Sequence, residues 1–230
     1  MGIADRYRKE YDNVAHVCAQ CGRDPSEVTL IAVSKTVDLN GVKEAFDAGA
    51  RNFGENRPDQ IVQKQQVYPS AQWHFIGNVQ SRRIADIVRT SCLIHSVYQE
   101  HHLPKIEAAA AHIDKIQDIL LEVNVSGEES KHGAAPDDLP QLLKVAAQCP
   151  HIRVCGLMTM APQGDATVAR SCFHALAQLR DTVANTKELC ASNIQLSGLS
   201  MGMSEDWQYA IEEGATMVRI GRAIFSDDFN

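Results

Sequence analysis

The chain has 230 residues, of which 44% are hydrophobic and 22% charged, and its formal net charge is −7 at pH 7. This composition is typical of a globular protein with one sizeable core, and the acidic balance argues against a general binder of nucleic acid or anionic membranes. Residues 1–25 lack the pattern of a signal peptide, no apolar stretch could span a bilayer, and the seven scattered cysteines fit reduced thiols. We therefore expect a cytoplasmic protein that forms one domain over residues 1–230.

The first predicted element is a helix that contains a CxxC pair. Apolar residues recur at helical spacing from Ile3 to Cys18, and Gly22 suits the left-handed residue after a helix end. Cys18 and Cys21 therefore lie at the C-terminal end of the helix, whereas a redox pair belongs at an N-terminus, where the dipole lowers a thiol pKa. No second pair or suitably spaced histidine completes a zinc site. We expect core cysteines and no metal.

Strands and helices alternate along the rest of the chain. Asp38 is the predicted N-cap of a helix that Gly49 closes, and the pattern at residues 45–50 returns at residues 210–215, each time before a strand that ends at a glycine. Strands are predicted at residues 28–34, 52–54, 73–77, 92–97, 119–125, 154–158, 194–199 and 217–220. This order predicts a (β/α)8 TIM barrel with an extra N-terminal helix, and a doubly wound open sheet is the alternative.

Lys35, at the end of the first predicted strand, is the leading candidate for a functional side chain. The strand is apolar and β-branched, as buried parallel strands are, and a lysine at its inner end is unusual because burying an ammonium is costly. Burial lowers the pKa of a lysine and makes the amine a nucleophile towards aldehydes. A salt-bridged or snorkelling lysine is the alternative.

The segments after the last two predicted strands are suited to an anion. Residues 196–204 supply glycines and the hydroxyl groups of Ser200 and Ser204, and Gly221 and Arg222 follow the eighth strand. The active sites of TIM barrels lie at the C-terminal ends of the strands, and phosphate often binds after strands 7 and 8. We therefore predict an anion site on the same face as Lys35.

Five segments carry a resemblance to a known family, at residues 32–36, 53–56, 73–77, 199–204 and 218–221. The most specific is Ser-Met-Gly-Met-Ser at residues 200–204. Together they resemble the pyridoxal phosphate homeostasis protein family, in order and over nearly the whole chain. The resemblance implies the barrel of fold-type III pyridoxal 5′-phosphate (PLP) proteins, like the alanine racemase N-terminal domain. It also implies a part in intracellular homeostasis, the carriage and supply of this vitamin B6 cofactor.

The resemblance further implies roles for individual residues. Lys35 matches the lysine that holds PLP as a Schiff base, and Arg219 matches an arginine that faces the pyridine nitrogen. The family's other cofactor-binding positions, in the pocket wall and at the phosphate, are matched by Asn56, Ile76, Ser200, Gly221 and Arg222. We expect PLP as the ligand, apo forms of PLP-dependent enzymes as acceptors, a monomer, and neither a catalytic residue nor a nucleic-acid or membrane partner.

Arg219 also bears on whether the protein is a carrier or an enzyme. Catalytic PLP enzymes commonly place a carboxylate against the ring nitrogen, whereas an arginine opposes its protonation and makes the ring a poorer electron sink. A racemase of this fold type adds a second base from another domain, which we do not expect because the chain ends at Asn230. Tyr98 and Tyr209 are expected to serve in packing. A carrier without robust turnover is therefore favoured over a PLP-dependent amino-acid racemase.

Two other functions follow from the residues alone. A Schiff-base aldolase also uses a barrel lysine and a phosphate site, but it needs an acid–base side chain that the segment around Lys35 does not offer. The second alternative function is a binding protein that holds a phosphorylated ligand without a covalent bond. A yellow colour that borohydride removes would distinguish a PLP protein from both.

Three histidines and one lysine also have expected roles. His74 lies within an apolar strand and is expected to be a hydrogen-bonded structural imidazole, whereas His101 and His102 are expected to face solvent. Lys131 lies in the loop at residues 126–133, which resembles a lysine-containing stretch of the family. We hypothesise that it helps PLP exchange, and a solvated charged loop is the alternative.

Overall fold

Eight parallel strands form a closed barrel in the computed structural model, which describes residues 1–128 and 131–229. Neighbours in the barrel are also neighbours in the chain, and the last strand pairs with the first. The strands are β1 (Thr29–Val33), β2 (Asn52–Glu55), β3 (Gln72–Phe75), β4 (Leu93–Val97), β5 (Gln117–Glu122), β6 (Ile152–Met158), β7 (Ile194–Ser200) and β8 (Met217–Ile220). The predicted barrel is confirmed, and the open sheet is wrong.

Helices connect the strands and pack around the barrel. They are α1 (Ile3–Gln20), α2 (Leu39–Asp47), α3 (Pro58–Val67), α4 (Ile84–Thr90), α5 (Leu103–His112), α6 (Leu139–Ala146), α7 (Ala166–Ala184), α8 (Trp207–Glu212) and α9 (Arg222–Phe225). The predicted extra helix, α1, precedes β1 and packs against α2, α8 and α9. Within the two described ranges, no helix combines the length and the apolar character that a membrane crossing requires.

Local sequence signals account for the ends of several helices. The Asp38 carboxylate accepts hydrogen bonds from the backbone N–H groups of Asn40 and Gly41, both at 3.0 Å, and so caps α2. Gly49 and Gly214 have φ angles of +112° and +93°, which glycine adopts without steric cost, and each ends a helix just before a strand. The repeated helix–glycine–strand pattern is thus confirmed.

Strand β5 ends earlier than the predicted strand at residues 119–125. After Glu122 the backbone pairs with a different segment: Asn124 N–H donates to the Ala134 carbonyl, and Ala134 N–H donates to the Glu122 carbonyl, both at 2.9 Å. The apolar composition of this stretch does not reveal where the pairing partner changes. The early end leaves the Glu122 carboxyl group at the C-terminal end of its strand.

Buried apolar side chains form two clusters. The larger lies between the barrel and its helices and includes Phe53 and Trp73, whose rings stack with centroids 5.2 Å apart. The smaller consists of Leu93, Leu120 and Met158. These three residues come from the neighbouring strands β4, β5 and β6.

In each of two predicted pairs, Cys18 with Cys21 and His101 with His102, one side chain is buried and the other is exposed. Cys18 is buried, as predicted, but Cys21 is exposed because it lies beyond the last residue of α1. His101 faces solvent, as predicted, whereas His102 is only 2% exposed. Adjacent residues at a helix start point in different directions, so one histidine of the pair turns inward.

Candidate functional site

A cavity of about 370 Å³ opens at the C-terminal ends of the barrel strands. Its lining residues follow or end different strands, among them Val33 from β1, Glu122 from β5 and Met158 from β6. Of the seven predicted cofactor-binding residues, six line it: Lys35, Asn56, Ile76, Arg219, Gly221 and Arg222. The barrel therefore brings six separately predicted residues to one cavity, as parallel strands in a closed barrel require.

Lys35 lies at this cavity in an unexpected environment. The structure places its side chain exposed, so the expectation of a buried amine is wrong. The reason is that β1 ends at Val33 and the buried Ser34 closes the strand, which leaves Lys35 in the following turn. An exposed amine on a turn at the cavity can reach a ligand directly.

The buried lysine of this region is Lys64, on α3, whose side chain lies behind the turn that carries Lys35. Its ammonium donates three hydrogen bonds: to the carbonyls of Ser34 and Val37, both at 2.9 Å, and to Glu55 Oε1 at 2.5 Å. The Ser34 hydroxyl also donates to Glu55 Oε1, at 2.8 Å. Lys64 is 1% exposed and Glu55 is fully buried. Because an ammonium has three donors, Lys64 is saturated, and it fixes both ends of the Lys35 turn.

Asn56 and Ile76 reach the cavity because the backbones after β2 and β3 are in close contact. A Cβ added to Gly77 would lie 2.1 Å from the Asn56 carbonyl oxygen, which no side chain tolerates. The Ser96 hydroxyl, at the end of β4, donates to the Gly77 carbonyl. Three consecutive strand ends are thereby joined on this side of the cavity.

Ser204 and the turn after β8 form the opposite side. The backbone N–H groups of Gly221 and Ala223 donate to Ser204 Oγ at 3.2 and 3.3 Å. Since this oxygen accepts two hydrogen bonds, the hydroxyl proton of Ser204 is directed elsewhere and can serve a ligand. Arg222 lines the same part of the cavity and pairs with Glu205 at 2.8 Å, with both side chains about half exposed. This wall is suited to an anion.

Ser200 is the one predicted binding residue that does not line the cavity. It is fully buried, its hydroxyl oxygen lies 2.9 Å from His95 Nδ1, and Arg219 Nη1 donates to it at 2.6 Å. The prediction that Ser200 holds a phosphate does not fit this placement, because its hydroxyl is committed to groups inside the barrel. Ser204 supplies the hydroxyl at the cavity instead.

Arg219 is held inside the barrel wall while it lines the cavity. It is 4% exposed and also donates from Nη2 to the Thr159 carbonyl at 3.0 Å. Burial lowers the pKa of its guanidinium to about 10, and the nearby Glu122 and Asp206 act in the opposite direction. The side chain therefore still carries a positive charge at neutral pH.

Glu122 is a cavity residue that sequence reasoning missed. Its side chain is 3% exposed, and no hydrogen bond to its carboxyl group is made by the residues that the structure describes. Burial raises the pKa of the carboxyl group to about 7, although the charge of Arg219 favours ionisation. The signal in the sequence was a carboxylate directly after the apolar residues 119–121, much as Lys35 comes at the end of an apolar run.

Tyr98 and His132 are further cavity residues that were not predicted. Their rings stack with centroids 5.8 Å apart, and the Tyr98 hydroxyl lies 3.4 Å from His132 Nδ1. Tyr98 also packs against the larger apolar cluster, as expected, so it contacts both the core and the cavity. Tyr209 agrees with its expected packing role, since its ring lies 5.0 Å from the Arg170 guanidinium.

The loop proposed for ligand exchange is described only in part, because Glu129 and Ser130 lie outside the described residues. Lys131 is half-buried, and its backbone N–H donates to the Glu128 carbonyl at 3.1 Å. His132, the next residue, lines the cavity. The exchange role of Lys131 stays a hypothesis.

Comparison with known proteins connects this geometry to a family. Residues 10–228 match the family described as alanine racemase, N-terminal domain. The pyridoxal phosphate homeostasis protein of Pseudomonas aeruginosa is 39% identical over 227 residues, which cover 97% of this chain and 94% of the relative. The protein of the same name from Aquifex aeolicus is 34% identical over 230 residues and 99% of both chains.

The similar solved structures include one with the cofactor bound. PipY of Synechococcus elongatus, solved with PLP bound, superposes on this chain with a TM-score of 0.78 at 32% sequence identity. The match covers 93% of this chain and all of PipY.

Proposed function

The chain belongs to the pyridoxal phosphate homeostasis protein family, and from this premise we propose that it binds PLP in the cavity and supplies it to other proteins. Lys35 is the proposed attachment residue, because PLP carries an aldehyde that condenses with an amine. The observation that carries the proposal is that the exposed Lys35 amine shares a cavity with the anion-suited wall of Ser204, Gly221 and Arg222.

Charge and size support the same ligand. Lys35, Arg219 and Arg222 place three cationic side chains at a cavity whose buried carboxyl group, Glu122, has its pKa raised by burial to about 7. An anionic phosphate is favoured in such surroundings. Cavities of roughly 300–1,000 Å³ are usual for small ligands and cofactors, and this one measures about 370 Å³.

The proposal of a carrier, rather than an enzyme, rests on Arg219. We propose that its guanidinium faces the pyridine nitrogen of PLP. Because it stays positively charged at neutral pH, it opposes protonation of that nitrogen, so the ring stabilises negative charge on a substrate poorly. Binding through Lys35 does not depend on that protonation. The homologues are named for homeostasis and not for a reaction, in agreement with this proposal.

Lys35→Ala is expected to abolish covalent attachment of PLP completely. The protein is incubated with PLP, reduced with borohydride and digested, and the peptides are weighed by mass spectrometry. Wild-type protein should carry one reduced adduct on Lys35. The matched control is Lys43→Ala, an exposed lysine on α2 paired with Asp47, which should carry the same adduct as wild type. An adduct of unchanged mass and yield in Lys35→Ala would show that another amine is the attachment site.

We expect the PLP-loaded protein to activate an apo form of a PLP-dependent enzyme and to leave an amino acid unchanged. The first measurement is recovery of the acceptor's activity after mixing with loaded protein, with Lys35→Ala protein treated in the same way as control. The second is the enantiomeric purity of L-alanine during prolonged incubation with loaded protein. Racemisation that depends on Lys35 would instead establish the racemase alternative.

A further inference from the structure

Five polar side chains form a continuous hydrogen-bonded row across the barrel interior. Asn52 Oδ1 lies 3.1 Å from His74 Nε2, and His74 Nδ1 lies 3.0 Å from His95 Nε2. His95 Nδ1 lies 2.9 Å from Ser200 Oγ, which accepts from Arg219 at 2.6 Å. The residues come from β2, β3, β4, β7 and β8. His74 is thus the hydrogen-bonded structural imidazole that was predicted, and the row ends at an arginine of the cavity.

Arg219 at one end of the row and the Asn52 oxygen at the other indicate the direction of the hydrogen bonds between them. A guanidinium only donates, so Ser200 Oγ accepts from it. His95 Nδ1 is the other described group within hydrogen-bond distance of this oxygen, and we assign the Ser200 proton to it. His95 therefore carries its hydrogen on Nε2 and donates to His74 Nδ1. His74 in turn donates from Nε2 to the oxygen of Asn52. Each histidine is left with one donor and one acceptor, so both must be neutral.

The surroundings favour this neutral state. His74 is 6% exposed and His95 is fully buried. Burial lowers the pKa of His74 to about 4 and holds that of His95 well below its usual range, to which the charge of Arg219 also contributes. The carboxyl groups near Arg219 are those of Glu122 and Asp206. If His74 or His95 were protonated, its positive charge would lie in the same row as that of Arg219, with no further carboxylate described near Arg219 to compensate it.

We propose that His74, His95 and Ser200 are positioning residues that hold the Arg219 guanidinium in one orientation at the cavity. The inference rests on the proposed function, in which Arg219 faces the PLP ring. Ser200 therefore acts on the ring side of the cofactor through Arg219, while Ser204 acts on the phosphate. Two serines four residues apart in one motif thus have different tasks.

The tautomers of the two histidines test the row without any ligand. Nitrogen-15 NMR of the wild-type protein at pH 7 should show His74 and His95 neutral, each protonated on Nε2 and bare on Nδ1. A hydrogen on Nδ1 of either ring, or a doubly protonated ring, would overturn the assignment. Because no PLP is present, this result does not depend on the proposed function.

Two probes separate the tasks of the serines. Ser200→Ala is expected to weaken PLP binding about tenfold, since one hydrogen bond to a charged group is lost, and to leave the affinity for inorganic phosphate within about twofold. Ser204→Ala should weaken the binding of both probes. Ser91→Ala is the matched control, because Ser91 is a buried serine whose hydroxyl has no partner among the described residues, and it should weaken neither.

Equal weakening of both probes by Ser200→Ala, or no weakening of either, would overturn the positioning role. If wild-type protein binds phosphate but not PLP, the proposed function fails. In that case the NMR result still tests the assigned tautomers of His74 and His95, because it needs no PLP.

Discussion

Lys64→Met is expected to lower the free energy of unfolding by about 3–5 kcal/mol, the usual cost of removing one partner from a buried ion pair. The substitution leaves the Glu55 carboxylate buried without its cation and leaves the carbonyls of Ser34 and Val37 without their donor. Glu55 Oε2 has no hydrogen-bond partner among the described residues. Without Lys64, the Ser34 hydroxyl, which donates to Oε1, is the one described partner that the carboxylate keeps. The melting temperature should fall by roughly 6–20 °C for a domain of this size.

The double variant Glu55→Met/Lys64→Met tests whether the uncompensated charge causes the loss. Because neither charge then stays buried, it should be more stable than Lys64→Met alone. Lys43→Met is the matched control, since the exposed ammonium of Lys43 pairs with Asp47 on the surface of α2, and it should change the melting temperature little. A Lys64→Met protein as stable as the control would refute the structural role of the pair.

The ion pair also links stability to the candidate site. Ser34 and Val37 flank the turn that carries Lys35, and both lose a donor in Lys64→Met. The double variant restores stability without restoring these two hydrogen bonds. We therefore expect it to attach PLP at Lys35 more weakly than wild type even at a temperature at which both are folded.

Several of the cavity residues could be predicted from the sequence because the barrel topology determines where the ends of the strands lie. Once eight parallel strands are recognised, the C-terminal end of each must reach the same face. Lys35 and Gly221 were placed at the cavity correctly by this argument, since each directly follows a predicted strand, whereas Ile76 was predicted from the family resemblance. Knowledge of strand order was therefore enough to place Lys35 and Gly221, which directly follow their predicted strands.

Strand order does not predict the role of a residue when that role depends on the exact residue at which a strand ends. It also does not predict a role that depends on partners distant in the sequence. The predicted seventh strand stopped at residue 199, whereas β7 includes Ser200, and that single residue moves the hydroxyl from a loop into the barrel. Lys64 lies in a polar helix, where a lysine is exposed by default. Its burial requires Glu55 and Ser34, which the fold brings from two different strands.

Glu122→Gln is expected to stabilise the protein at pH 8 and to have little effect at pH 4. The carboxyl group of Glu122 has an ordinary pKa of 4.5, and burial raises its pKa to about 7 in the folded protein. Between these values the folded state binds more protons than the unfolded state, so stability falls as the pH rises. Glutamine mimics the protonated form and removes this loss, on the order of 3 kcal/mol once the pH exceeds 7.

The buried histidines have the opposite effect on stability. Because the pKa of His74 is lowered to about 4 and that of His95 lies well below its usual range, the unfolded state binds more protons than the folded state below pH 6.5. Their contribution to stability is lost as the pH falls from about 6.5 towards 4. Wild-type stability therefore combines two opposing slopes, and the pH dependence of wild type alone does not identify either group.

The difference between variant and wild type isolates Glu122, because both proteins contain the same histidines. Thermal unfolding of the two is followed from pH 4 to pH 8 without ligand, and the difference in melting temperature should grow from near zero to roughly 6–12 °C. Glu44→Gln, an exposed carboxyl group on α2, is the control and should show a small difference at every pH. A constant difference for Glu122→Gln, or one that shrinks as the pH rises, would contradict a protonated Glu122. The expected result would mean that near neutral pH the cavity holds its cationic side chains beside an acid that is only partly ionised, which favours the binding of an anionic cofactor.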